Sequence, residues 1–391
     1  MLVTLATVLI ALSLALSCLC AMLIVLHRRR IPAGERELPR YPKVSVLLTP
    51  RNLDDGLEEN LASILSLHYP DFEVLFGIDA LDDPCMPLVE LVRSRFSHVR
   101  STIVITGHSQ ASNPKASKLA QMEHCSDVEL FWVVDADIRV APDTLTALVG
   151  EYLRHDAKIV FSPIRCRGAR SFGSVLEMSY INFFLSGSVL AAWNLLRRRI
   201  IVGKSLLVER QTLNRFGGFA YFTDVLAEDH WLGETFSQSG FPVRCNYTWV
   251  DNIKETSTIG KYFDRITRWA KLRYHLNRPV FLLEFLLNPL ALTMLFLPLL
   301  QSRALPLVLS VVLMRLAAEY AVFFAINDHD RRRLSVIFAL APAVLVKDLL
   351  MPLAFCLPFF SSSVKWRNSK IRIGKYTLMP LFQEYHLYDG A

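Results

Sequence analysis

The sequence predicts an α/β domain on a mostly parallel sheet, inserted between an N-terminal transmembrane helix and a C-terminal helical membrane bundle. Three observations predict it. An uncharged apolar stretch opens the chain, strand-like and helix-like segments alternate from residue 42 onward, and from Pro279 the composition turns apolar again. The 391 residues carry 43 Lys and Arg against 36 Asp and Glu, a net charge of +7. Many of these cations sit at the ends of apolar stretches or after residue 364, the pattern of membrane topology and anionic headgroups rather than of nucleic-acid binding.

Residues 1–27 form the first element. Leu2 to Leu26 contains no charge and is long enough to cross a hydrocarbon core of about 30 Å as a helix. His27, Arg28, Arg29 and Arg30 follow the stretch instead of preceding it, so it reads as a retained anchor and places the next domain in the cytosol. After the linker Ile31 to Pro42 come a strand at Val44–Leu48, a helix around Leu57–Leu67 and a strand at Phe72–Ile78. A helix at Pro87–Phe96, a strand at Ser101–Thr106, a helix at Lys115–Glu123 and a strand at Leu130–Val134 continue the alternation. The cytosolic domain is expected over 42–258. Seven cysteines without CxxC spacing suit a reducing compartment and carry no chemical role.

Residues 259–277 mix aromatics with cations at helical spacing, which predicts a helix lying at the membrane interface. Apolar stretches at 280–300, 305–326 and 334–360 then make up a membrane bundle over 279–362. Pro342, Pro352 and Pro358, with Lys347 and Asp348 between them, predict a broken or re-entrant last segment. That arrangement keeps the basic tail at 363–391 in the cytosol.

Ligands of a parallel sheet gather at the carboxyl ends of its strands, and Asp82, Asp83, Asp135 and Asp137 fall just after such ends. In FWVVDADIRV, Asp135 and Asp137 leave a buried strand as alternate residues. Such a pair can hold Mg²⁺ or Mn²⁺ against the two phosphates of a nucleotide sugar. Asp82 and Asp83 either contact the nucleotide or cap the helix that Pro84 opens. Glu228 and Asp229 offer a general base for an acceptor hydroxyl, or are ordinary helix-start acids. Arg265 and Arg268, three apart in RITRW, share a helix face and can bind a leaving diphosphate; the alternative is a basic interfacial helix.

In order, these segments resemble the ceramide glucosyltransferase family, among inverting GT-A glycosyltransferases with three acidic motifs and a (Q/R)xxRW motif. The motifs correspond to DDP at Asp82, VDADIRV ending at Val140, AED at Ala227 and RITRW at Arg265, with further likeness in NPKASKL and VGKSLLVERQTLNRFGGF. The likeness covers 42–275. It implies a GT-A fold, a UDP-sugar donor, a lipid acceptor such as ceramide, and a divalent metal at Asp135 and Asp137. It also implies that Asp229 is the catalytic base and that Asp82, Asp83, Lys115, Asp135, Arg265, Arg268 and Trp269 meet the donor. Gly203, Lys204, Ser205 and Glu228 are assigned to the acceptor pocket. Animal members carry Gly in place of Asp137 and Gly-Met-Ser in place of Gly203-Lys204-Ser205. A bacterial member suits both departures and brings a hopanoid lipid N-acetylglucosaminyltransferase into competition. A processive polysaccharide synthase fits less well because few membrane helices are left to build a channel. A membrane scaffold would make the acids accidental. The host membrane is the bacterial inner membrane or the Golgi.

Overall fold

The computed structural model describes residues 1–30, 37–196, 200–301, 304–366, 369–374 and 377. They divide into two compact units. One holds the described parts of 31–164, 199–253 and 374–391, and the other those of 1–30, 165–198 and 254–373.

The first unit is built on a sheet. In chain order its strands are Val44–Leu48 (β1), Phe72–Ile78 (β2), Ser101–Ile105 (β3), Leu130–Val134 (β4), Ile138–Arg139 (β5) and Ile159–Phe161 (β6). After Ile164–Arg167 (β7), which straddles the division, come Ser205–Glu209 (β8), Val243–Cys245 (β9) and Val250–Ile253 (β10). The main sheet runs β3-β2-β1-β4-β8-β6-β9. β1 and β4 are apolar runs buried at every position, as strands covered on both faces must be. Val44 lies beside Phe72 on one side and Leu130 on the other, both in parallel register.

The expected parallel order holds from β3 to β4 and turns antiparallel at β8, which pairs with both β4 and β6. SLLVE, the β8 sequence, is buried throughout and has no two-residue period, so alternation does not reveal it as a strand. The β4–β8 register sets Val134 opposite Ser205. That pairing aligns the start of the DxD segment with Lys204.

The second unit is helical. Its long elements include Leu2–Arg29, Ile259–Leu276, Pro289–Leu300, Ala304–Ile326 and Leu334–Cys356. Another helical stretch, Phe172–Asn194, contains a π-helical turn at Tyr180–Leu185. Among the described residues, four helices are long and apolar enough to cross a membrane: Leu2–Arg29, Phe172–Asn194, Ala304–Ile326 and Leu334–Phe359. A bent pair, Arg278–Leu287 with Pro289–Leu300, makes a fifth if counted as one span.

Two expectations change here. A continuous sheet domain over 42–258 does not form, because the described parts of 165–198 and residues 254–258 group with the helical unit, where the Phe172–Asn194 helix is largely buried. Nor is the last apolar segment broken at its prolines, since Leu334–Cys356 runs through Pro342 and Pro352 as one helix. The break comes earlier, at Asn288, with a bend of 75°. There the Asn288 side chain accepts from Ala291 N and donates to the Asp348 carbonyl, satisfying the polar groups that a break exposes. Of the basic tail, Ser363–Trp366 pairs with Ser369–Arg372, while Arg367, Lys375 and everything from 378 on lie outside the described residues.

Lys347 and Asp348 are not signs of a break. Arg315 donates from Nε to Asp348 at 2.9 Å and from Nη2 to Glu319 at 2.7 Å, and Lys347 bonds Glu319. Two cations thus face two carboxylates, and the Arg315 guanidinium lies 3.8 Å from the Phe183 ring centroid. Charges in an apolar bundle persist only when paired in this way.

Candidate active site

β4 leads directly into Asp135, whose backbone N–H donates to the Lys204 carbonyl at 3.2 Å. Asp137, two residues on, is held through its own carbonyl, which accepts from Ile253 N at 2.9 Å. The Lys204 Nζ donates to both Asp137 oxygens, at 2.7 and 2.9 Å, and forms an ion pair with Asp135 Oδ2 at 3.0 Å. Asp135 Oδ1 is taken by Lys115 Nζ at 2.7 Å. Every oxygen of the DxD pair therefore meets an ammonium.

Lys115 reaches further. Its Nζ also lies 3.3 Å from Glu228 Oε1 and donates to the Gly203 carbonyl at 3.1 Å. The sequence NPK explains its position. Asn113 caps the Pro114–Met122 helix, its side-chain oxygen accepting from Lys115 N and Ala116 N. The other face of the amide donates to the Val225 carbonyl and to Glu228 Oε2 at 2.7 Å. One residue thus orients Lys115 and fixes the segment that carries the second acid pair.

Glu228 and Asp229 open the helix Glu228–Gln238. Asp229 Oδ2 accepts from Gly203 N at 2.7 Å, and Oδ1 accepts from His230 N at 2.8 Å. Only glycine fits at 203, since a Cβ there would lie 2.6 Å from Asp229 Cβ. Burial pushes both carboxyls above their ordinary range, with Lys115 opposing the shift. Asp135 moves the other way. Burial raises it too, but Lys115 and Lys204 together outweigh burial and keep it below the usual carboxylate range. Acids pushed apart in this manner are suited to different tasks, Asp135 to stay charged and Asp229 to exchange a proton more readily than an ordinary aspartate.

The helix after β2 starts at Met86 with Cys85 at its N-cap, not at Pro84, so Asp83 holds the turn before it rather than capping it. Its Oδ1 accepts from Asn52 N at 2.8 Å and Cys85 N at 3.0 Å, whereas Asp82 is exposed. An acid the sequence reading passed over, Asp79, lies directly after β2, is 5% exposed, and pairs with Lys118 at 2.8 Å and Arg51 at 3.4 Å. Its signal was an acid closing a buried apolar strand.

Of the residues assigned to the acceptor, Gly203 and Glu228 adjoin the Asp229 and Lys115 groups, and Ser205 Oγ accepts from the Trp132 indole at 3.0 Å. Lys204 lies instead on the DxD acids. Arg265, Arg268 and Trp269 belong to the helical unit. There Arg265 pairs with the buried Glu177 at 3.0 Å, and Trp269 lies against Tyr180 with ring centroids 5.9 Å apart.

Among the described residues no group of three or more His, Cys, Asp or Glu is arranged to hold a metal. Two hard carboxylates remain, a donor set that suits Mg²⁺ or Mn²⁺ completed by phosphate oxygens rather than a full protein cage. Asp135 and Asp137 fit such an ion.

The pattern of glycosyl transferase family 21 matches residues 9–379. The chain belongs to that family. This member is therefore a sugar-transferring enzyme. It is 22% identical over 340 residues to ceramide glucosyltransferase 3 of Caenorhabditis elegans, across 85% of this chain and 73% of that protein. It is 23% identical to ceramide glucosyltransferase 1 of the same organism, across 60% of this chain and 50% of the relative. Among solved structures it is similar to a mannosyltransferase from Pyrobaculum calidifontis in complex with GDP-Man and Mn²⁺. That match has a TM-score of 0.44 and 19% identity, and covers 87% of this chain and 99% of the other.

Proposed function

We propose that this enzyme transfers a hexose from a UDP-sugar to the hydroxyl of a membrane lipid, with inversion at the anomeric carbon. Glucose and the primary hydroxyl of ceramide are the leading pair. The observation that carries the reading is the Lys115 ammonium, which ties the acids at the end of β4 to the Glu228–Asp229 segment. Donor-side and acceptor-side chemistry thereby share one cluster.

Asp229 takes the proton of the acceptor hydroxyl, and the oxygen bonds to the anomeric carbon as the bond from that carbon to the diphosphate breaks. The electron pair leaves on UDP. Lys115 meets the charge that develops on the leaving diphosphate, a task the family resemblance also gives to Arg265, Arg268 and Trp269. Asp83 holds the turn that meets the nucleotide, and Asp82 beside it is free to reach the base or ribose. Asp135 and Asp137 would hold a divalent cation, which would supply further charge compensation for the diphosphate. Gly203 and Glu228 line the acceptor side. The apolar helices anchor the chain as a multi-pass protein with the acids on the cytosolic side, and the Ile259–Leu276 helix lies at the interface.

Lys204 and Asp137, where animal members differ, favour one second reading: transfer of N-acetylglucosamine to a hopanoid lipid. Membranes containing the enzyme, incubated with labelled UDP-glucose, UDP-galactose or UDP-N-acetylglucosamine, decide between them. Label from UDP-glucose in a ceramide product is the expected result. Label only from UDP-N-acetylglucosamine moves the reading to the second lipid, and no lipid label from any donor refutes both.

A further inference from the structure

Lys204 has no place in the scheme above, yet it is among the most tightly held cations of the sheet unit. Its backbone carbonyl accepts from Asp135 N at 3.2 Å, at the point where β4 and β8 diverge. The neighbouring Ser205 is pinned by the Trp132 indole at 3.0 Å. Sheet register, not chance on a flexible surface, therefore delivers this side chain to the DxD pair. The side chain is 19% exposed, and its Nζ makes three contacts of 3.0 Å or less to Asp135 and Asp137. A long lysine held so closely has lost its rotamer freedom, a cost that three charged contacts in a half-buried site offset.

A divalent ion that uses the same two carboxylates takes the same oxygens. It would face the ammonium as a like charge across shared ligand atoms, and such repulsion is strong where water is largely excluded. Lys115 adds a second positive group on Asp135 Oδ1. Without Lys204, two carboxylates two residues apart would repel one another, so the ammonium also keeps the pair assembled when no other cation is present.

We propose that Lys204 is a resident counter-cation of the DxD pair, so that its ammonium and the divalent ion are alternative partners of Asp135 and Asp137. Lys204 is thus a positioning residue for the donor site. It holds the acids in place beforehand and weakens their intrinsic affinity for metal. The inference rests on the assignment of Asp135 and Asp137 to a divalent cation under the proposed function.

The test is Mn²⁺ binding by the purified full chain in lipid nanodiscs, with UDP present, read from the electron paramagnetic resonance signal of free Mn²⁺. K204M should bind Mn²⁺ about tenfold or more tightly than the wild type, given the repulsion it removes. K204Q, which keeps an N–H donor for Asp137, should shift the same way and serves if K204M does not fold. D135N should bind more weakly. Unchanged or weaker Mn²⁺ binding in both Lys204 variants, with D135N still weaker than wild type, overturns the counter-cation role alone. If D135N binds Mn²⁺ as the wild type does, the cation assignment fails and the counter-cation role fails with it.

Discussion

At the scale of single residues, burial raises the carboxyls of Asp135, Glu228 and Asp229 alike, and the lysines decide which of them escapes it. Asp135 is flanked by Lys115 and Lys204 and stays low; Glu228 and Asp229 have one lysine, Lys115, and a few hydrogen bonds to oppose their burial, and rise. For Asp229 as base, the sign follows directly. The working form is the carboxylate, which is lost as pH falls through its raised pKa. The acidic limb of kcat/KM should therefore lie above the ordinary aspartate value of about 3.9. A pH profile whose limb sits at that ordinary value would contradict the assignment. Asp135, Asp137 and Asp229 were legible in the sequence because acids after apolar strands or at helix starts stand out locally. The Lys204 contact was not, since it depends on antiparallel pairing between segments some seventy residues apart, roughly the distance from 135 to 204. Asp83 was legible only as one of two choices, and its bonds to Asn52 and Cys85 place it in the turn ahead of the Met86–Arg95 helix rather than at that helix's cap.

At the scale of elements, the apolar helices were read from composition alone; the stretches at 305–326 and 334–360 agree closely with single helices, whereas 280–300 is split by the bend at Asn288. What composition misjudged was the meaning of internal charge. Lys347 and Asp348 suggested a break, but their partners Arg315 and Glu319 sit one helix earlier, in a stretch whose apolar residues masked them. Arg315 is 2% exposed, and replacing it with methionine leaves Asp348 and Glu319 with one cation between them. Breaking a buried pair from one side costs about 3–5 kcal/mol. R315M should therefore lower the thermal midpoint of the detergent-solubilised protein, and the double variant R315M/D348L should recover much of the loss. An unchanged midpoint in R315M would show that the network contributes nothing to stability. The helix at Phe172–Asn194 went unread because Ser171, Ser174, Ser179 and Asn182 interrupt its apolar run. Within the unit those groups find partners, Asn182 bonding the Cys166 backbone on both its N–H and carbonyl.

At the scale of the whole molecule, the chain alternates between its two units, returning to the helical one at 165 and again at 254. A reading in sequence order assigns each stretch to the domain of its neighbours and so cannot see the first return. The sheet unit carries the four acids and both lysines; the helical unit carries RITRW and, among the described residues, four helices long enough to span a bilayer. Family membership and the order of motifs agree on sugar transfer, while the lipid acceptor rests on the proposed reading. The central claim is that Asp229 removes the acceptor proton in a single displacement. It is tested most directly by single-turnover transfer from UDP-glucose to ceramide in nanodiscs, comparing wild type with D229N while UDP binding is measured on the same samples. The account predicts a β-linked product from the wild type and a chemical step slowed by about 10²–10⁴ in D229N, with UDP affinity retained. Transfer by D229N at the wild-type rate, or an α-linked product, would contradict it.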